Sequence, residues 1–184
     1  MSRSIWLKIK LVAGVILFIS ALHVVNMVLG GRLNQFGVIP RDMGSLFHIA
    51  TAPFIHGSLG HLINNVIGLS IFSAFCLLRS IRVYVWSSVF IIVVGGLMVW
   101  LFGRNASHIG ASGWIFGLWS LSIANAIFDR SFQNILVAVL VVFLYGGMIY
   151  GVLPSSQGIS FEGHFFGAVA GIACAFLLKG LAKK

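Results

Sequence analysis

The chain has 184 residues, 59% of them hydrophobic and only 8% charged, with a mean hydropathy of +1.06. A soluble domain carries roughly a quarter charged residues. A buried core cannot absorb that shortfall, so the composition excludes a soluble protein and defines an integral membrane one in contact with a lipid bilayer. The net charge of +9 does not indicate nucleic acid, because the basic residues flank apolar runs, where they orient a chain against a bilayer.

Six apolar segments follow in chain order, roughly Ile9 to Leu29, Gly60 to Leu78, Val83 to Phe102, Ser112 to Phe128, Phe132 to Tyr150 and Gly163 to Leu178. A bilayer core of about 30 Å needs about 20 helical residues, so the expected fold is all-α: one domain over residues 1–184 with six transmembrane helices. The first segment is too long for a signal-peptide core and reads as a retained helix. The fourth and sixth are short, and a helix ending below the interface leaves a hydrated dent above it. With the N-terminus in the cytoplasm, the inner side holds Arg3, Lys8, Lys10, Arg79, Arg82, Arg130, Lys179, Lys183 and Lys184, and the outer side Arg32, Arg41 and Arg104. That asymmetry predicts both termini in the cytoplasm. The long connection between the first two segments carries Pro40, Pro53 and the apolar stretch SLFHIATAPFI over 45–55, which predicts a loop folded into the outer leaflet. Cys76 and Cys174 lie deep in apolar segments, with no CxxC pair, and read as packing residues.

Strongly polar residues inside membrane segments are costly and point to function. His61, Asn65, Ser112 and His164 stand out, with His56 just before them, and all fall at the outer ends of the second, fourth and sixth segments. Ser112 is flanked by Gly110 and Gly113 at the start of a helix. Glycine admits close approach of a backbone, and helix-start N–H groups suit a developing oxyanion; the plainer alternative makes Ser112 a helix cap. Gly113 and Gly117 share their spacing with Gly167 and Gly171, so the fourth and sixth helices can pack backbone to backbone and bring His164 to Ser112. His61 and Asn65 share one helix face and can both donate to an oxyanion. Zinc is the alternative for that pair, but no Cys or acidic ligand accompanies it, so neither a metal nor another cofactor is expected. Of the three acids, Asp129 sits at the opposite end of its helix and Glu162 is two residues from His164. Asp42 lies in a loop of open position. Elimination favours a Ser–His dyad.

Together, His56-xxxx-His61-xxx-Asn65, Gly110-x-Ser112-Gly113 and His164-xx-Gly167-xxx-Gly171, in this order on the second, fourth and sixth segments, resemble the rhomboid family of intramembrane serine proteases over essentially the whole chain. The resemblance implies a six-helix rhomboid-like bundle in which Ser112 is the nucleophile and His164 its general base. It makes His61 and Asn65 oxyanion donors beside the Ser112 N–H. The fifth segment matches a lateral gate, and the loop Gly151 to Glu162 a cap over the site. The implied substrates are single-span membrane proteins cleaved near the outer face; the short chain without added domains suggests a bacterial cytoplasmic membrane as the setting. Two positions depart from the usual pattern. Phe47-His48 stands where many members carry Trp-Arg, and Phe116 where a tyrosine often supports the histidine. The main alternative is a non-proteolytic relative that binds and escorts membrane helices; a small transporter is a further one, against which the absence of internal repeats speaks.

Overall fold

A computed structural model describes residues 3–154 and 159–179. It contains six α-helices: α1 (Arg3–Val28), α2 (Leu59–Leu77), α3 (Ile81–Phe102), α4 (Ser112–Phe128), α5 (Phe132–Tyr145) and α6 (Phe161–Leu178). Short 3₁₀ turns at Arg32–Phe36, Met43–Ala50 and Ala52–Phe54 fill the α1–α2 connection, and another at Gly146–Val152 continues α5. Five segments are long and apolar enough to cross a membrane, the α5 rod being counted through Val152; α4, at 17 residues, is shorter. This is an all-helical integral membrane protein.

The expected helix limits shift by more than two residues in two places. The first helix begins at Arg3 instead of near Ile9, because Trp6, Leu7 and the flanking residues carry no helix breaker. The fifth helix, expected to run to Tyr150, changes pitch after Tyr145. The pair Gly146-Gly147 removes the side-chain packing that favours an α-turn, and the chain tightens into 3₁₀ geometry.

α4 is the central rod. Every residue from Trp114 to Ser122 is buried, whereas α1 and α5 each bury 17% of their apolar window and turn long aliphatic faces outward. α5 touches the bundle through Asn134, Val137, Ala138 and Val141, the i, i+3, i+4, i+7 stripe of a one-sided helix. α3 likewise buries Tyr84, Ser87, Ser88, Ile91, Gly95 and Val99. Both faces of these helices are apolar, so hydrophobicity alone cannot tell inside from outside. Small and polar side chains mark the inner face, as expected where close packing, not water exclusion, drives helix association. Cys76 and Cys174 are free and buried in this core.

The glycine pairs make the α4–α6 contact. A Cβ added at Gly167 would lie 2.0 Å from the Gly113 carbonyl oxygen, and one at Gly171 2.0 Å from that of Gly117. The two helices therefore meet rung by rung along the two spacings. At the end of the bundle remote from Ser112, Arg79 Nη2 pairs with Asp129 Oδ2 at 3.1 Å and Nη1 donates to Asn125 Oδ1 at 2.7 Å. Asn134 Nδ2 donates to the same carboxylate oxygen at 2.8 Å. The far ends of α2, α4 and α5 are thus held by one polar cluster, and Asp129 is occupied there.

Candidate active site

Four of the five helices from α2 to α6 start in the same way: Ser58, Ser80, Ser131 and Ser160 cap α2, α3, α5 and α6 with their hydroxyls. α4 does not. Its N-cap is Ala111, with no side-chain cap, so the first N–H groups of the helix, that of Ser112 included, are left for another acceptor. The plainer reading of Ser112 as a cap does not apply, because Ser112 is already the first helical residue.

The turn that delivers Ser112 is built from backbone. Val38 and His108 exchange N–H···O bonds of 3.0 and 2.9 Å, and Gly110 N–H donates to Ala52 O at 2.8 Å. Gly110 has φ +104°, and a Cβ there would sit 2.4 Å from the His61 ring. Only glycine satisfies both conditions, and its absent side chain lets the His61 imidazole lie against the turn. Asn65, one helical turn further along α2, donates one Nδ2 hydrogen to His61 O at 2.7 Å, leaving its second N–H for the site.

His164 is fixed from two sides. Its Nδ1 bonds the Gly151 carbonyl at 2.9 Å, and its ring stacks on Phe116 with centroids 4.1 Å apart and planes 8° from parallel. A carbonyl can only accept, so Nδ1 carries the proton and Nε2 is left as the basic nitrogen. None of the three carboxylates bonds this ring. Asp42 caps the 3₁₀ turn at Met43–Ala50 by accepting from Gly44 N–H. Glu162 pairs with Arg104 at 3.3 Å, and Asp129 is at the far end. The stacking partner is the phenylalanine noted in the sequence, which supplies a flat apolar face without a hydroxyl.

His61, Asn65, Ser112, Phe116 and His164 all line one cavity of about 800 Å³. Ile67, Ile71 and Phe72 of α2, Tyr145 at the end of α5 and Met148 in the 3₁₀ turn that follows extend its wall along the apolar part of the bundle. Ser112 and His164 make no direct hydrogen bond, a contact that commonly tightens only when substrate is bound. His56 is not in the cavity wall. It is fully buried behind His61, edge-on to that ring at 5.0 Å between centroids. In the expected cap, Gly151 and the residues at 159–162 are described, whereas Ser155 to Gly158 lie outside the described residues, as do Lys183 and Lys184.

Where Phe47-His48 replaces the usual pair, Phe47 points outward, 83% exposed, and His48 Nδ1 donates to Gly37 O at 2.9 Å. The loop is tied to the end of α3 by other residues: Trp100 Nε1 donates to Asp42 O at 2.8 Å and Arg41 Nη1 to Gly103 O at 2.8 Å.

Three polar residues not singled out in the sequence belong to this region. His108 Nε2 donates to Arg104 O at 3.1 Å, so its Nδ1 accepts from Ser160 Oγ at 2.6 Å, and Ser160 in turn caps α6. His108 thus ties the loop that carries Ser112 to the start of the helix that carries His164. His23 and Asn26 of α1 are both buried beneath the α2 start.

Burial holds the His56 imidazole down at about 4, with the neighbouring rings of His61 and His23 pushing the same way. In the unfolded chain a histidine titrates near 6.5. Above that pH both states are neutral and the full stability is present. Between 6.5 and about 4 the unfolded chain binds a proton that the native one refuses, so stability falls as pH falls. The melting temperature in detergent is expected to drop across this window as stability falls by up to about 1.4 kcal/mol per pH unit. A His56→Phe variant is expected to lose that part of the slope; an equal slope in the variant would refute the assignment.

An all-helical membrane bundle with a half-buried Ser and His on neighbouring glycine-packed helices, lining one cavity, defines a polytopic membrane protein with a Ser–His pair at one site. Comparison with known proteins is consistent with that class. The Rhomboid domain model matches residues 43–180. An uncharacterized protein of Mycobacterium tuberculosis is 33% identical over 182 residues, covering 92% of this chain and 76% of its own length. One from Mycobacterium leprae is 30% identical, covering 92% and 72%. The chloroplastic rhomboid-like protein 11 of Arabidopsis thaliana is 30% identical over 148 residues, 72% of this chain and 52% of its own length. The chain belongs to the rhomboid family.

Proposed function

We propose that this protein is an intramembrane serine protease that cleaves single-span membrane proteins with a Ser112–His164 dyad. The supporting observation is the state of His164: Nδ1 held by the Gly151 carbonyl, ring stacked on Phe116, and Nε2 left basic in a cavity that Ser112 also lines. In this reading the helices form six spans with both termini in the cytoplasm, in keeping with the nine-to-three distribution of Lys and Arg, in a bacterial cytoplasmic membrane. Cleavage then takes place near the outer face.

Substrate enters beside α5, the least embedded wall of the cavity, and unwinds to present a peptide carbonyl. His164 Nε2 takes the Ser112 hydroxyl proton as Oγ bonds to the carbonyl carbon. The resulting oxyanion accepts from the uncapped Ser112 N–H, from Asn65 Nδ2 and from His61. The C–N bond breaks as His164 returns its proton to the leaving amine. Water then gives a proton to Nε2 while its oxygen attacks the acyl carbon; the C–Oγ bond breaks as His164 passes that proton to Oγ, releasing the acid and restoring Ser112.

A serine-directed fluorophosphonate tests this directly. Wild-type protein in liposomes is expected to be labelled at Ser112, and His164→Ala to lose labelling by at least about a hundredfold, the scale of general-base catalysis. Absence of labelling in the wild type would overturn the reading in favour of a non-proteolytic rhomboid that escorts membrane helices.

A further inference from the structure

The matched family segment begins at residue 43, after the whole of α1, yet α1 sends two buried polar side chains toward the site. Both reach one atom. His23 Nδ1 donates to the His56 carbonyl at 3.0 Å, and Asn26 Nδ2 donates to the same oxygen at 3.3 Å. Asn26 is held in turn: its Nδ2 also donates to Asn34 Oδ1 at 2.9 Å, and its Oδ1 accepts from Leu33 N–H at 2.9 Å. Every hydrogen-bonding group of that amide except spare lone pairs is used, so its orientation is fixed.

The carbonyl they grip stands two residues before Ser58, the cap of α2, whose hydroxyl accepts from His61 N–H at 3.2 Å. The His56 ring, on the same residue, packs edge-on against His61. The path from α1 to the oxyanion donors is therefore short and rigid: α1 side chain, His56 carbonyl, Ser58 cap, then His61 and, one turn on, Asn65. A charge on neither helix explains two donors on one acceptor at 4% exposure each. In an apolar interior, polar groups are buried only where something is gained from their fixed geometry.

We infer that His23 and Asn26 are positioning residues for catalysis, α1 fixing through the His56 carbonyl where His61 and Asn65 stand relative to Ser112. This rests on the proteolytic reading above. Neither residue lines the cavity, so its loss acts on the transition state and leaves substrate binding alone, lowering kcat and sparing KM. Displacing an oxyanion donor by an ångström costs up to about a hundredfold in rate.

The test uses full-length protein in liposomes, with kcat expressed per fluorophosphonate-reactive site so that misfolded protein is not counted. His23→Phe keeps the ring and loses the donor; it is expected to lower kcat at least about tenfold with KM within about twofold. His23→Asn places an amide N–H where Nδ1 stood and is expected to recover most of the loss, which a merely structural role would not require. Asn26→Ser, which keeps a hydroxyl for Leu33 N–H and loses the donor to His56, reads the same carbonyl independently and should show the same split. Unchanged kcat per site in His23→Phe and Asn26→Ser, or an equal loss in His23→Asn, overturns the inference while wild-type cleavage still stands. A wild type that neither labels nor cleaves overturns the proteolytic reading instead.

Discussion

Ser112→Ala is expected to abolish cleavage of a single-span substrate in liposomes, with no measurable change in melting temperature. The hydroxyl makes no hydrogen bond among the described residues, and the α4 start is held by backbone contacts of the preceding turn, so alanine removes the proposed nucleophile and little else. Loss of a covalent nucleophile removes the acyl-enzyme route entirely. Loss of one oxyanion donor only weakens it, by about 10² to 10³ in kcat, so Asn65→Ala should retain a residual rate that Ser112→Ala does not. The ranking matters more than either value. If Asn65→Ala were as inactive as Ser112→Ala and also unfolded, Asn65 would be a packing residue; if Ser112→Ala turned over substrate normally, the dyad would be wrong. His164→Ala belongs with Ser112→Ala, because Nε2 has no substitute base among the residues that bond or stack on it.

Much of this arrangement can be read from the sequence, for a physical reason. In a chain with 8% charged residues, a strongly polar group inside an apolar run is rare and costly, so His61, Asn65, Ser112 and His164 announce themselves. Gly113, Gly117, Gly167 and Gly171 carry their packing register in their spacing, since small residues at i and i+4 leave one groove per turn. The change of pitch after Tyr145 is harder to see, because Met148, Ile149 and Tyr150 continue the apolar run past the glycine pair where the helix tightens into 3₁₀ geometry. His23 and Asn26 are invisible locally. They lie near the end of a long apolar helix, where a polar residue ordinarily meets the headgroup region, and their shared partner is 33 and 30 residues away. His108 is hidden for the opposite reason: it stands in a polar loop, where histidine carries no signal, and its partner Ser160 is 52 residues on. Position in a span is encoded by composition; the polar bonds that align one span with another are encoded only by the fold.

Gly167→Ala should be nearly as damaging to activity as loss of a residue of the proposed dyad, although it adds a single methyl group to a residue that takes no part in the proposed chemistry. The new Cβ would lie 2.0 Å from Gly113 O, 2.8 Å from its carbonyl carbon and 3.0 Å from its Cα. These are backbone atoms of the central helix, not the end of a flexible side chain, so no rotamer change relieves the contact. Nor can α6 simply retreat. Gly95 of α3 packs on the other side, where even a Cβ would be in ordinary contact with Gly167 Cα at 3.4 Å, so α6 lies between two close backbone neighbours. Relief requires α6 to slide or tilt by about 1 Å, and His164 rides on it one turn away. Overpacking of this kind costs about 1–3 kcal/mol, and a 1 Å error in the base costs about a hundredfold in kcat. Gly14→Ala is the matched comparison: it adds the same methyl to a helix where nothing lies within 4 Å, and should leave both stability and turnover unchanged. A Gly167→Ala protein with wild-type kcat and melting temperature would mean that the α4–α6 backbone contact does not set the distance between Ser112 and His164.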